Sequence, residues 1–323
     1  MNASKRSSLV ALGVLGCHAA WGQSEPKGTV KISSVFPTGS GPDVVARIIA
    51  TKLQAKWNQS VVVDAKPGGA GAVAIASMMG QAPTGNDLVV VDVGNLSINP
   101  LIFKKLAYDP DKDLVPVAVL YKTAFFVAVS TESPIKSIKD LMVAAANKSM
   151  PLKYGSNAVG GPIHLGSARL ETALGAEMLH IPYKEISQLY ASVSTGEIDW
   201  ALASIASAGP LLKAGKLRFL AVVDQARSAA MPEVLTLAEA GGPRDLYATT
   251  WVALMASRGT PETITSSINK AVDEALAMAD VKERLAGFGF VPSPGSPQQV
   301  LELTRADRAR YAEVLKRVKV SVD

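Results

Sequence analysis

From Val30 onward, short runs of β-branched residues alternate with longer stretches whose apolar residues recur at helical spacing. This alternation restricts the chain to sheets covered by helices. Val30 to Phe36 reads as a first strand. Pro42-Asp43 then opens a helix in which Val45, Ile48, Ile49 and Leu53 share one face. Val61-Val62-Val63 forms a second strand, Ala70 to Gly80 a second helix and Leu88 to Val91 a third strand. The fold class is α/β, with repeated strand–helix units and strands expected to run parallel.

From about Phe125 the pattern starts again. Strands are expected at 125–129, Lys153-Tyr154, 179–181, 198–202 and 217–223, with helices at 137–147, 163–174, 187–195 and 208–214. A second sheet follows from this. Strand 251–256 and the helical stretches 262–278, 280–286 and 297–318 have no sheet of their own and should pack back on the first. At 323 residues the chain also exceeds the roughly 100–200 residues of one domain. The expected organisation is one lobe of residues 28–126 with 248–323 and another of 127–247. Two crossings between lobes, near 126 and near 248, make a hinge.

The first 22 residues read as an export signal. Lys5 and Arg6 give a basic start, Leu9 to Gly16 an apolar stretch too short to span a bilayer, and Ala20-Trp21-Gly22 a small-x-small cleavage site. Val14-Leu15-Gly16-Cys17 loosely matches a lipoprotein box, so lipid anchoring at Cys17 stands as the alternative to cleavage after Gly22. Cys17 is the only cysteine, which rules out an internal disulfide. The chain carries 33 basic and 28 acidic side chains; without Lys5 and Arg6 an excess of three positive charges remains. That mildly favours anionic ligands, and no basic block is dense enough for nucleic acid.

Two loops join a strand to a helix with small residues that leave backbone N–H groups open: Phe36-Pro37-Thr38-Gly39-Ser40-Gly41-Pro42-Asp43 and Tyr154-Gly155-Ser156-Asn157-Ala158-Val159-Gly160-Gly161-Pro162. A helix start carries unpaired donors and about half a positive charge, so two such starts facing one cleft can hold a carboxylate without arginine. Ordinary capped connections are the plainer reading. Gly69-Ala70-Gly71-Ala72-Val73-Ala74 has the G-x-G-x-x-A form of a dinucleotide loop, but it follows the second strand, and Asp87 and Asp92 are poorly placed as the ribose acid. Tight helix–strand packing explains it better.

Signatures of catalysis are missing: no G-x-S-x-G, no H-E-x-x-H and no cysteine beyond residue 22. His164 and His180 share no metal-ligand spacing and read as hydrogen-bonded structural groups. Trp57, Trp200 and Trp251 read as core. Asp109, Asp111 and Asp113 alternate as calcium ligands do, yet Pro110 and the absent glycine and glutamate spoil an EF-hand. No catalytic residue, metal or cofactor is expected, and the protein is expected to be a monomer.

An ordered set of segments then carries a resemblance: Phe36 to Arg47, Lys66-Pro67-Gly68, Asn99-Pro100, Tyr108-Asp109-Pro110, Asp113, Tyr154-Gly155-Ser156, His164-Leu165, Pro182-Tyr183-Lys184, Ala214-Gly215-Lys216-Leu217, Trp251 and Gly259-Thr260-Pro261. Together they resemble the Bug, or tripartite tricarboxylate transporter, receptor family. The resemblance implies a type II periplasmic-binding-protein fold closing on a small organic carboxylate, with membrane permease subunits or a sensor domain as partners. By position it assigns ligand contacts to Pro37, Thr38, Gly39, Ser40, Gly41 and Asp43, and to Ser156, Asn157, Val159, Gly160 and Gly161. Three departures bear on specificity: Gly161-Pro162 where the family offers a hydroxyl, Glu185 where glycine is usual, and Ala203 where aspartate is common. A hydrogen bond to a charged group is worth about 1.5–3 kcal/mol, so each can redirect ligand choice. Two other readings stand beside a binding protein: a secreted enzyme using Asp43, Lys184 or Glu185 as acid or base, and a receptor that has lost its ligand and only signals.

Overall fold

The computed structural model describes residues 25–318 and residue 320. The export signal and Cys17 lie outside the described residues. In chain order the first elements are β1 (Val30–Ser34), α1 (Gly41–Trp57), β2 (Val61–Ala65), α2 (Ala72–Met79), β3 (Asp87–Asp92), α3 (Asn99–Ile102), α4 (Pro110–Asp113) and β4 (Leu114–Ala124). The second half of the chain's path adds β5 (Phe126–Ser130), α5 (Ile138–Ala145), β6 (Lys153–Ser156), α6 (Pro162–Ala173), β7 (Leu179–Pro182), α7 (Ile186–Thr195), β8 (Trp200–Ala203), α8 (Ile205–Lys213) and β9 (Leu217–Val222). Last come β10 (Thr249–Ser257), α9 (Glu262–Ala277), α10 (Ala279–Gly287), β11 (Val291–Pro292) and α11 (Gln298–Leu315).

Two sheets result, with orders β11-β4-β10-β3-β1-β2 and β7-β6-β8-β5-β9. Helices cover both faces of each, as four apolar clusters show. α1 illustrates why: Val45, Ile49, Leu53 and Trp57, four residues apart, form one buried stripe against β1, β2 and α9. Pro42 near its start supplies a helical φ and gives up an N–H that has no partner there anyway, and Asn58 ends it in the left-handed region.

The sheets are mixed rather than parallel throughout. β1 runs parallel to β2 and β3, and β6 to β7 and β8. β10 is antiparallel to β3 and β4, and β5 to β8 and β9. The physical reason is the route of the chain: β5 and β10 each enter their sheet directly from the other one, with no crossover helix to reverse the direction. β4, eleven residues long, has no counterpart in the strand pattern of the sequence, where the run before Phe125 shows no clean alternation.

The crossings lie side by side and are tied together. Phe125 N–H donates to Ala248 O at 2.9 Å, Ala248 N–H to Val223 O at 2.7 Å, and Val223 N–H to Phe125 O at 2.8 Å. Trp57, Trp200 and Trp251 are all buried, and Trp251 Nε1 donates to Asp307 Oδ2 at 2.7 Å.

The α1 stripe is a clear stability test. Leu53 is fully buried, so Leu53→Ala should cost about 2–5 kcal/mol, measured as a lowered urea midpoint at unchanged slope.

Candidate functional site

The cleft between the two sheets, about 400 Å³ in volume, is lined from both sides. Its floor belongs to the first sheet. Asp92 of β3 pairs with Val252 of β10, which pairs with Tyr121 of β4, and Thr250 pairs with Thr123 two residues on. Because alternate strand residues share a face, Asp92, Val252, Tyr121, Thr250 and Thr123 present one surface to the cleft. Phe125, Phe36 and Phe290 complete this side; Phe290 stacks on Tyr121 with ring centroids 4.1 Å apart.

The first-lobe loop is shaped by a carboxylate that faces inward. Asp43, 1% exposed, accepts from Gly39 N–H at 2.9 Å and is held by Arg47 through Nε at 2.9 Å and a second N–H at 3.1 Å. Gly39 takes φ +80° to make this turn. Ser40 folds back on Pro37 O through both its amide and its hydroxyl, so the start of α1 has no side-chain cap. The Gly41 amide in the first turn therefore remains for an outside acceptor. Gly41 itself is required by space: a Cβ there would lie 2.8 Å from Phe290 Cζ and 3.8 Å from Ala206 Cβ of the opposite lobe.

The second-lobe loop is braced by two histidines. Gly160 N–H donates to His164 Nδ1 at 2.9 Å, and the Ser156 hydroxyl meets His180 Nε2 at 2.7 Å. The two imidazoles stack with centroids 3.9 Å apart. Burial, then the neighbouring His180, pushes His164 down to about 4, and burial lowers His180 as well. Both rings are neutral at neutral pH, which keeps His164 Nδ1 an acceptor.

Of the residues assigned to ligand contact, Gly39, Ser40, Gly41 and Asn157 line the cleft. The others are placed differently, for definite reasons. Pro37 and Thr38 are exposed on the loop's outer edge, and Asp43 is committed to Gly39 and Arg47. Ser156 is fully buried and engaged with His180, and Gly160 with His164. The Gly161 amide donates to Ala158 O, and Val159 is half exposed. Ala203 packs in the apolar layer under α7 and α8, while Glu185 and Lys184 are exposed. None of Asp43, Lys184 and Glu185, the candidates for a single acid or base, is among the described residues that line the cleft.

Sequence reasoning missed part of the lining. Ile186 opens α7, and Ser204, Ala206 and Ser207 open α8, where Ser204 and Ser207 form a reciprocal capping box. The signal was present, since Ser204 follows a predicted strand just as Ser40 follows β1. The floor residues and Phe290 have no local signature, because only the pairing of strands distant in sequence assembles them.

The glycine-rich segment 69–71 is structural. Ala70 O receives Nδ2 of both Asn95 and Asn99 at 2.9 Å and the Tyr108 hydroxyl at 3.3 Å. Gly71, at φ +92°, would place a Cβ 2.4 Å from Asn95 Nδ2. Asp109 caps α4, Asp113 accepts from Asp109 N–H, and Asp111 pairs with Arg308. No cluster of three metal-ligating side chains occurs among the described residues.

Electrostatically, the cleft is unusual in its source of positive potential. Helices α1, α6, α7 and α8 all begin at residues bordering it, while no Lys or Arg occurs among the described residues that line it. Each helix start favours an anion by about 0.3–1 kcal/mol when exposed and up to ~2 when partly buried. Among the described residues Asp92 is the one carboxylate on the lining; it accepts from Asn95 N–H at 3.1 Å, and burial pushes it upward.

Two α/β lobes, joined by paired crossings around a cleft that helix starts make receptive to anions, define a bilobal solute-binding receptor. Residues 45–320 match the tripartite tricarboxylate transporter family receptor, and the chain belongs to that family. A Pseudomonas protein (strain P51) encoded in the tcbD-tcbE intergenic region is 29% identical, over 87% of this chain and 83% of its own. An R. palustris protein solved with adipate superposes with a TM-score of 0.82 at 29% identity, covering 92% of this chain and 99% of that one. MatC of Rhodopseudomonas palustris, solved with bound malate, gives 0.77 at 27% identity, covering 90% and 99%.

The histidine brace predicts a pH effect. His164 titrates near 4 when folded and near 6.5 as a free side chain, so the unfolded state binds more protons between those values and stability rises with pH there. Urea unfolding at pH 5 should show a loss of about 1–2 kcal/mol relative to pH 7 from this group. His164→Asn, whose amide oxygen can still accept from Gly160, should lack that part of the loss; parallel wild-type and variant profiles would contradict the brace.

Proposed function

We propose that the protein is an extracytoplasmic receptor that captures a small organic carboxylate in the interlobe cleft and presents it, as a monomer, to membrane permease subunits or a sensor domain. The observation that carries this reading is the meeting of helix starts from both lobes: Gly41 in the first turn of α1 and Ser204 and Ala206 at the start of α8 line the same cleft, and a Cβ added at Gly41 would lie 3.8 Å from Ala206 Cβ. An anion seated there gains donors and dipoles from each lobe at once, so it stabilises the closed arrangement relative to the open one. The relatives solved with adipate and malate support a carboxylate as that anion.

Closure is proposed to pivot on the hydrogen-bonded crossings at Phe125, Val223 and Ala248, with residues 28–126 and 248–323 moving against 127–247. Export through the N-terminal signal would place the receptor in the periplasm, freed by cleavage after Gly22 or anchored by lipid at Cys17. No helix among the described residues is long and apolar enough to cross a membrane.

Thermal-shift and calorimetric screening of the purified protein against organic acids should yield a rise in melting temperature that grows with acid concentration. Gly41→Ala should weaken that binding about tenfold or more, roughly 1.4 kcal/mol, because its Cβ displaces Phe290 into the anion's place. Screening at millimolar concentration with no shift from any acid would overturn the assignment.

A further inference from the structure

We infer that Asp92 determines the form in which the acid is captured: it takes up one proton from solvent as a carboxylate enters the cleft and holds it in a hydrogen bond to that carboxylate. The inference rests on the carboxylate capture proposed above and concerns what the floor does once an anion is there. Asp92 ends β3, which runs parallel to β1 with Val90 opposite Ser34. Two residues on, Asp92 and Phe36 stand level at the carboxyl ends of their strands, and both line the cleft together with Gly39, Ser40 and Gly41. The Asp92 carboxyl is therefore a neighbour of the loop that starts α1. Asn95 N–H donates to its Oδ1 at 3.1 Å, and a Cβ at Gly94 would lie 2.9 Å from the same oxygen. Oδ2 is engaged by no side chain among the described residues.

A bound anion and an ionised Asp92 would repel each other strongly in this space. A cleft of about 400 Å³ is on the order of 7 Å across, less than the roughly 8–10 Å over which salt screens charge. No Lys, Arg or His is among its described lining residues to compensate. A like charge at such range favours the protonated form of a carboxyl, and two carboxyl groups that share one proton titrate as a pair. Burial already pushes the Asp92 carboxyl up, against the pull of the Asn95 and Gly94 amides. The titratable groups that feel its charge are Tyr121 on β4 and Tyr108, whose hydroxyl donates to Asn95 O. Both phenols are held above their ordinary range by burial first and by Asp92 second, Tyr121 well above it and Tyr108 at about 12, so neither exchanges a proton near neutrality. The parts of β10, α6, α7 and α8 that face the cleft contribute apolar and hydroxyl side chains, and His164 and His180 are outside the lining. Asp92 is the group on which the proton settles.

The test is calorimetry between pH 7 and 8.5 with adipate, malate, benzoate and any other acid that raises the melting temperature, each in buffers of different ionisation enthalpy. This counts the protons taken up on binding, and because the free acids are ionised throughout that range, the uptake belongs to the protein. The expected result is uptake of about 0.3 to 1 proton per acid bound, with affinity falling roughly two- to tenfold per pH unit as pH rises. Asp92→Asn keeps the shape of the protonated carboxyl and its capacity to donate. It should abolish the uptake, bind the same acid with an affinity independent of pH, and bind it more tightly than the wild type at pH 8.5. Asp92→Ala, which has no donor, should also lack the uptake and bind more weakly than Asp92→Asn at every pH. A wild type that binds acid with no proton uptake, or an uptake that Asp92→Asn retains, would overturn the inference while leaving carboxylate capture intact. Failure of every acid to bind would remove both.

Discussion

The cleft is bordered by helix starts, hydroxyls and an amide, with no Lys or Arg among the described lining residues, so an anion bound there would have to be held by neutral donors. Helix starts leave backbone N–H groups without intrahelical partners, and the chain brings the starts of α1, α6, α7 and α8 to one cleft. The first-lobe loop shows the cost in local geometry. Asp43, assigned to the ligand by position, is turned inward to hold Gly39 and Arg47, and Gly41 has no side chain where the ring edge of Phe290 leaves no room for one. In the second lobe a pair of neutral, stacked histidines performs the equivalent task, holding Gly160 and Ser156 from beneath. Both groups fix the loops that lead into α1 and α6.

The same logic links the cleft to motion. Phe125, Val223 and Ala248 exchange three backbone hydrogen bonds, which keeps the crossings in step. Close by, the guanidinium groups of Arg169 and Arg310 lie 5.5 and 4.5 Å from the centroid of the Tyr247 ring, and Arg310 is paired with Asp307, which also accepts from Trp251. Thus α6 of one lobe and α11 of the other share one aromatic ring at the second crossing.

Much of this fold is legible in the sequence because it is written locally. The α1 stripe of Val45, Ile49 and Leu53, the strand–loop–helix junctions at Ser40 and Gly161, and the three C-terminal helices all declare themselves by spacing and by Pro and Gly punctuation. What is not legible depends on pairing across sequence distance. The reversed direction of β5 and β10 follows from the chain's route between sheets, which periodicity cannot report. The floor of the cleft needs Asp92, Val252 and Tyr121 to meet, and these lie on three strands from separate parts of the chain. The intramolecular partners of the loop residues were illegible for a related reason: Ser156 bonds His180 and Asp43 holds Gly39 and Arg47, and only the packed structure shows which polar groups are already engaged.

The central claim is that backbone amides at helix starts, rather than cationic side chains, receive the ligand's charge. A crystal structure with the tightest-binding acid tests this most directly. The account predicts a carboxylate oxygen within about 3.2 Å of the Gly41 amide, with the first turn of α6 or α8 closing from the other lobe. A carboxylate seated on an arginine or lysine side chain, or lodged outside the space between Gly41 and Ala206, would contradict it.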